Sequence, residues 1–409
     1  MTLLRFWSSP PPYPTQRLLL ILPILAIIFL GFGGWIYLDS VYKMKIQIPP
    51  TPQHDCPGLG ARGDLQIPPP PQVDVVLTFA MGYPAPMFHR FLASFRAYDH
   101  DSMVVLFVTK KEKDNRDIAN LATWFHASLV VATYDLYKDL WPHVLHHPGE
   151  SSAFFSQTNT AGYRFGYQWA WLTSYRGPPD LRYVFLTDFR DVVFQNHLFD
   201  QIKPTFQMWV QQPHRNPSFL YPPHPEWPTR QTARAAPSHS AFIIAFPEGR
   251  RTNLGKCKYN RAWLGEVYGF ALADRWKNRH VICAGTVLGN REGILQWLVR
   301  MIEEIEKFAQ TGRYNSNDQG IHNYLIHSDD LIRNMTVYLA NNEYNEMVTT
   351  MAQVTVTREN VVGWIEPELN FGRRAAVIHQ GDRLPEYWRS VEQKYQMYLS
   401  SPRRHYRGG

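Results

Sequence analysis

The sequence predicts an α/β domain, a mostly parallel sheet flanked by helices, preceded by one N-terminal transmembrane helix. Three observations predict it. From Val73 onward, short runs rich in Val, Ile, Leu and Phe alternate with stretches of helical spacing. Of 409 residues, 44% are hydrophobic and 14% aromatic, enough to bury one large core or two ordinary ones. An uncharged apolar run, residues 18–38, stands ahead of the alternating region.

That run, LLLILPILAIIFLGFGGWIYL, is long enough as a helix to span a bilayer core of roughly 30 Å. Arg5 and Arg17 precede it with no acid between them, and Trp35 and Tyr37 stand near its far end, as interfacial aromatics do. An uncleaved anchor with a short cytoplasmic tail, residues 1–17, and a lumenal body is the expectation. A cleaved signal peptide ending near Gly33-Gly34 is the alternative. Lys43 and Lys45 on the far side weaken the charge argument for orientation. Residues 39–72 are rich in proline and glycine and read as a semi-rigid stalk. An Arg62-Gly63-Asp64 triplet within it is short enough to occur by chance. The folded domain is expected over 73–400, with a basic tail at 401–409.

The net charge of +7 is scattered, and no basic stripe with interleaved aromatics suggests nucleic acid. The three cysteines are Cys56, Cys257 and Cys283. The last two are candidates for a disulfide, which would leave Cys56 to link two chains; three unpaired thiols is the alternative. Asn334-Met335-Thr336 is the one usable glycosylation sequon.

Within the domain, VDVVLTFA reads as a strand and PMFHRFLASFRAY as a helix with Met87, Phe91 and Phe95 on one face. SMVVLFVT follows as strand, NRDIANLATWFHA as helix and SLVVATYDL as strand. NTAGYRFGYQWAWLTSY reads as a helix burying Phe165, Trp169 and Leu172. The next strand, LRYVFLTDFRDVVFQ, climbs to Asp188, with Arg190 and Asp191 just beyond. Ligands of open α/β sheets bind at the carboxyl ends of strands, so this is the first candidate site. If the chain stays extended, Asp188 and Arg190 share a face and Asp191 points away. If a turn starts at Asp188, Asp191 swings back beside it. The second geometry suits a hard divalent cation, with Arg190 free to face a phosphate. A turn cap at Asp188 and an Arg190–Asp191 ion pair is the bland alternative.

Two later stretches add to this. YNSNDQGIHNYLIH follows the long amphipathic stretch REGILQWLVRMIEEIEKFAQ, and AAVIHQGDRLPEYW joins an apolar strand to His379, Gly381, Arg383, Pro385 and Trp388. With these in order, residues 73–390 resemble the metal-dependent glycosyltransferases of GT-A fold, particularly the glycogenin-like and plant cell-wall nucleotide-sugar transferase branches. Asp188 and Asp191 match the family's strand-end Asp-x-Asp, Asp318-Gln319 its Asp-Gln motif, and His379-x-Gly381 with Arg383 its late His-x-Gly motif and following basic residue. Asp-Phe-Arg-Asp is one residue longer than Asp-x-Asp. The second acid is Asp191 by chemistry, or the position of Arg190 by spacing, and some GT-A enzymes use basic residues in place of a metal.

The resemblance implies a Rossmann-like GT-A sheet and a hexosyl- or pentosyltransferase. It implies Mn²⁺ or Mg²⁺ held by Asp188, Asp191 and His379, with a nucleotide-diphosphate sugar as donor and a glycan or glycoprotein as acceptor. Arg190, Arg164, Gly381 and Arg383 would bind the donor. Asp318 and Gln319 would face the sugar, with retention of anomeric configuration as the glycogenin-like expectation. Anchor, stalk and lumenal domain are usual for single-pass type II proteins of the Golgi, or of the ER membrane. A membrane-anchored GT-A-like binding protein without activity is the alternative. A phosphoesterase would need further metal ligands, and no Gly-x-Ser-x-Gly or P-loop pattern occurs.

Four further stretches are weaker. Gly285-Thr286 in HVICAGTVLGN reads as a turn after a short strand, able to line the sugar or acceptor site. Asn260 and Trp263 in KCKYNRAWLGEVYG read as acceptor-side or packing residues. His143, His146 and His147 read as a solvated loop, and the proline-rich stretch 211–240 as a loop over the site or disorder.

Overall fold

A computed structural model describes residues 72–133, 160–177, 179–202, 241–248, 252–309, 317–328, 331, 335–340, 347–350 and 375–400. All of them fall in the unit Pro69–Gly409. The expected anchor, the stalk up to residue 71, Cys56, the Arg62-Gly63-Asp64 triplet, the His143–His147 stretch, residues 211–240, Asn334 and the basic tail lie outside the described residues, while Gln72, expected to end the stalk, opens the first strand. Among the described residues, no helix is long and apolar enough to cross a membrane.

The first half alternates strand and helix as expected. β1 (Gln72–Phe79) leads to α1 (Ala85–Arg96), β2 (Met103–Val108), the short α2 (Lys110–Lys113), α3 (Arg116–Trp124) and β3 (Ala127–Val131). Then come α4 (Thr160–Ser174), β4 (Asp180–Thr187) and β5 (Val193–Phe194). The second half has β6 (Phe242–Pro247), α5 (Lys258–Tyr268), α6 (Phe270–Arg275), β7 (Ile282–Asn290) and α7 (Arg291–Ala309). It closes with α8 (Asp318–His327), β8 (Thr336–Leu339), β9 (Val348–Thr350), β10 (Val377–His379) and α9 (Pro385–Ser400).

Seven strands form one sheet in the order β3-β2-β1-β4-β7-β6-β8. Successive side chains of a strand point to opposite faces, and both faces here are covered. Val76, Val104, Leu106 and Ile244 enter the apolar cluster under α1 and α9, while Val75, Val105, Leu77 and Ile243 enter the cluster under α4, α7 and α8. Of the α4 residues expected on one apolar face, Phe165 and Leu172 are buried and Trp169 is partly buried. A second sheet, β5-β10-β9, closes over the first cluster.

Two features depart from the sequence reading. β7 runs antiparallel to both of its neighbours, β4 and β6. Its amino end therefore lies beside the carboxyl end of β4, with Thr286 opposite Thr187. The expected turn at Gly285-Thr286 is also absent, because β7 continues unbroken from Ile282 to Asn290. The apolar run on both sides of Gly285 pairs with β4 and β6, and that pairing outweighs the local preference of glycine for a turn. Cys257 and Cys283 are free thiols, so the candidate disulfide is not formed.

Candidate active site

The site starts where β4 ends. Asp188 is anchored by its own backbone, whose N–H donates to the Gly285 carbonyl of β7 at 2.8 Å. The chain then turns, for a reason legible in Phe189. That ring is buried against Tyr83, Phe88 and Phe91, with centroids 4.8–5.5 Å apart. Once Phe189 is drawn into the aromatic layer, Asp191 returns to the same side as Asp188. The turn reading is the one the structure adopts. Arg90 donates to the Arg190 carbonyl, and the Gly381 N–H lies 3.3 Å from the Asp191 carbonyl, so both flanks of the turn are held.

β10 delivers the third group. His379, fully buried, sets Nε2 at 3.2 Å from Asp188 Oδ2 and 3.7 Å from Asp191 Oδ1. Its Nδ1 lies 3.3 Å from Cys283 Sγ on β7. Gln380, next in the chain, takes a left-handed backbone (φ 56°), which ends the strand and starts the turn Gly381–Arg383. A side chain on Gly381 would meet the Tyr387 and Trp388 rings at 2.9 and 3.2 Å. A Cβ on Gly285 would lie 2.3 Å from Asp188 Oδ2 and 2.6 Å from His379 Cε1. Only glycine lets β7 approach this cluster so closely.

Asp188, Asp191 and His379 each offer one ligand atom, all within 4.8 Å of one another. Ligands about 2.0–2.2 Å from a divalent ion lie roughly 3 Å apart when adjacent and ~4.2 Å apart when opposite. The three atoms therefore fit one ion with small movements. Two carboxylates and one imidazole match the oxygen-rich preference of Mn²⁺ or Mg²⁺.

Arg164 joins this cluster to the Asp-Gln motif. From α4 it donates one nitrogen to Asp188 and the other, at 2.8 Å, to Asp318 Oδ2 at the start of α8. Burial works against the Arg164 cation, but the two carboxylates outweigh it and raise its pKa. Gln319 is spent on structure. Its Oε1 accepts from the Ala284 N–H at 2.8 Å, and its Nε2 donates to the Ile282 carbonyl at 2.7 Å. Asn323 holds Ile282 on both of its backbone groups, at 2.9 and 3.0 Å. These amides fix the amino end of β7 against α8.

The carboxylates are not equivalent. Burial would raise Asp188, yet Arg164 and His379 lower it below the usual range. Burial raises Asp191 and Asp318, partly offset by His379 for the first and Arg164 for the second. Burial opposes charge on His379, but the Cys283 sulfur and both strand-end carboxylates raise it well above the usual imidazole value. Burial also pushes the Cys283 thiol up. The sulfur is therefore uncharged at neutral pH and acts on His379 as a hydrogen-bond partner, while the carboxylates act through their charge.

The groups open into a cleft of about 560 Å³. Arg190 and Arg383 stand at its rim, 48% and 59% exposed. Arg190 meets Asp382 at 3.1 Å and Asp191 at 3.6 Å, so the predicted ion pair exists and the guanidinium still reaches solvent. Asn260 and Trp263 line the same cleft from α5.

Among the lining residues that sequence reasoning did not name as site residues are Tyr83, Glu248, Tyr259 and Cys283. Glu248 is buried just past β6, and burial raises its carboxyl, opposed by His379 and Arg383. A carboxylate closing an apolar strand was the signal that singled out Asp188, and FIIAFPE carries it too.

No protein-family model and no curated protein sequence matches this chain. Among solved structures it is similar to the crystal structure of the galactosyltransferase LgtC in complex with donor and acceptor sugar analogues. The TM-score is 0.39 at 13% identity, covering 80% of this chain and 95% of that one.

Proposed function

We propose that this chain is a metal-dependent glycosyltransferase of GT-A type. It would move a sugar from a nucleotide-diphosphate sugar to a glycan or glycoprotein acceptor. The observation that supports this best is the convergence of Asp188, Asp191 and His379 at strand ends, with both acids lining a cleft rimmed by Arg190 and Arg383 and His379 buried behind them. The three ligands would hold Mn²⁺ or Mg²⁺, which when bound supplies Lewis-acid stabilisation of negative charge on a departing diphosphate.

The chain's own residues supply the rest. Arg190 and Arg383 bind phosphate oxygens at the rim, where a guanidinium matches their geometry. Arg164 holds Asp188 and Asp318 in one orientation and favours the charged form of each. Asp318 sets a carboxylate beside the place where the sugar develops positive charge. Gln319 positions β7, and through it Gly285, Ala284 and Cys283. The proposal extends to the rest of the chain: residues 18–38 anchor it in a Golgi or ER membrane, with this domain lumenal.

The test is nucleotide release from a panel of UDP- and GDP-sugars by the purified chain, with Mn²⁺ and with chelator. Metal-dependent release supports the reading and names the donor. Release that survives chelation moves the phosphate-holding role to the arginines. Absence of both release and nucleotide binding leaves the non-catalytic binding protein.

A further inference from the structure

α5 forms one wall of the cleft. Tyr259, Asn260 and Trp263 all line the cleft from this one helix. Tyr259 is 58% exposed, an unusual position for so large a ring. Its centroid lies 6.0 Å from that of Trp263, one helical turn on, with the rings tilted by 32°. The two rings form a shallow aromatic step at the cleft mouth.

Asn260 lies beside that step with its side chain almost wholly buried. Its Nδ2 donates to Cys257 Sγ at 3.2 Å, which fixes the amide plane. Its Oδ1 is buried and has no hydrogen-bond partner among the described residues. A buried carbonyl oxygen left unpaired is costly, and most such atoms in folded proteins have a partner. A ligand hydroxyl would supply one here.

The wall is also close to the reacting centre. A Cβ on Gly320 would meet the Trp263 carbonyl at 2.8 Å, so α5 touches the first turn of α8. Asp318, which Arg164 ties to Asp188, opens that turn.

We propose that Tyr259, Asn260 and Trp263 form a subsite for the saccharide end of the acceptor. This rests on the transferase reading. A pyranose ring has an apolar face of C–H groups and a rim of hydroxyls. The apolar face stacks on the aromatic step, and one hydroxyl donates to Asn260 Oδ1. An aromatic surface joined to a fixed amide acceptor suits a sugar ring. The acceptor is therefore itself a saccharide, and transfer extends a glycan.

The experiment measures two rates on the purified chain with the best nucleotide sugar and Mn²⁺. One is donor hydrolysis without acceptor. The other is transfer to a panel of methyl hexosides and methyl pentosides. Asn260→Ala is expected to raise the acceptor KM about tenfold, the weight of one hydrogen bond with its buried partner. Tyr259→Ala is expected to raise it several-fold, and this exposed ring contributes little to the core, so the variant separates binding from folding. Donor hydrolysis and the Mn²⁺ midpoint should stay at wild-type values in both variants. Donor hydrolysis with an unchanged acceptor KM in both variants overturns the subsite and leaves the transferase standing. Equal loss of donor hydrolysis assigns the wall to the donor sugar and also overturns it. No nucleotide release from any donor by the wild type overturns the transferase reading, and the subsite with it.

Discussion

His379 Nε2 lies 3.2 Å from Asp188 Oδ2, although 191 residues separate the two in the chain. β4 ends at one and β10 ends at the other, and the two strands belong to different sheets. The contact therefore reports on the assembly of the whole domain. Asp188→Asn and Asp191→Asn should each lower nucleotide release by about 100-fold or more, since a metal supplies several kcal/mol of charge stabilisation. Circular dichroism should show both variants folded. A wild-type rate in both would remove the metal from the mechanism.

Arg164 is the cation between two acids, and its side chain and that of Asp318 are each only 14% exposed. Removing one partner of such a pair typically costs about 3–5 kcal/mol, because the remaining charges are left uncompensated. Arg164→Met should lower the unfolding free energy from urea titration by that order, and the urea midpoint with it. The double variant Arg164→Met/Asp318→Leu should recover part of the loss. Equal midpoints for the two would mean that Arg164 and Asp318 do not act as a pair.

Gly285→Ala tests the close approach of β7. The new methyl group would sit 2.3 Å from Asp188 Oδ2. Overpacking of this kind costs roughly 1–3 kcal/mol. A Mn²⁺ titration by calorimetry should show affinity reduced well beyond what the change in melting temperature accounts for. Unchanged affinity would place the ion elsewhere.

Cys283 tests the other face of His379. For Nε2 to bind a metal it must be free of its proton, so Nδ1 carries it and donates to the sulfur at 3.3 Å. Outer partners of this kind are worth about 10–100-fold in metal affinity. Cys283→Val should lose affinity in that range, and Cys283→Ser, which keeps an acceptor, should retain most of it. A serine variant as weak as the valine one would leave the sulfur with a packing role only.

Acid should destabilise the fold through α8. Burial lowers His322 and His327 to about 3 each. A group whose folded pKa is depressed binds more protons when unfolded, so stability rises with pH across the gap. The contribution is complete above pH ~6.5 and declines toward pH ~3, with about 2 kcal/mol per histidine gone by pH 5. Urea midpoints at pH 7.5 and pH 5 measure it. His322→Leu should narrow the difference, since it keeps the volume against Trp297 without a proton site. A difference as wide as in the wild type would assign the effect to other groups.

Much of this was legible before folding. β1, α1, β2, α3 and β4 each carry an apolar period that local chain geometry turns directly into an element, and Asp188 ends its strand where the run of apolar residues stops. His379 and Arg383 were singled out through the family resemblance, as a His-x-Gly motif and the basic residue after it, and His379 ends the last strand. The sequence by itself determined the alternating α/β order, the strand-end acids and the chemical types available to the site. Tertiary structure alone decided the rest. The direction of β7 depends on which neighbours it pairs with, and no period along one strand encodes that. The burial of Phe189 chose the turn that returns Asp191 to Asp188. Glu248, Cys283 and Tyr83 became site residues only because distant strand ends and one loop converge on the cleft. Gln319 lines the cleft and also braces β7, because its amide meets the β7 backbone. Spacing along a chain encodes local periodicity; distances between groups far apart in sequence are set by packing the two faces of the sheet.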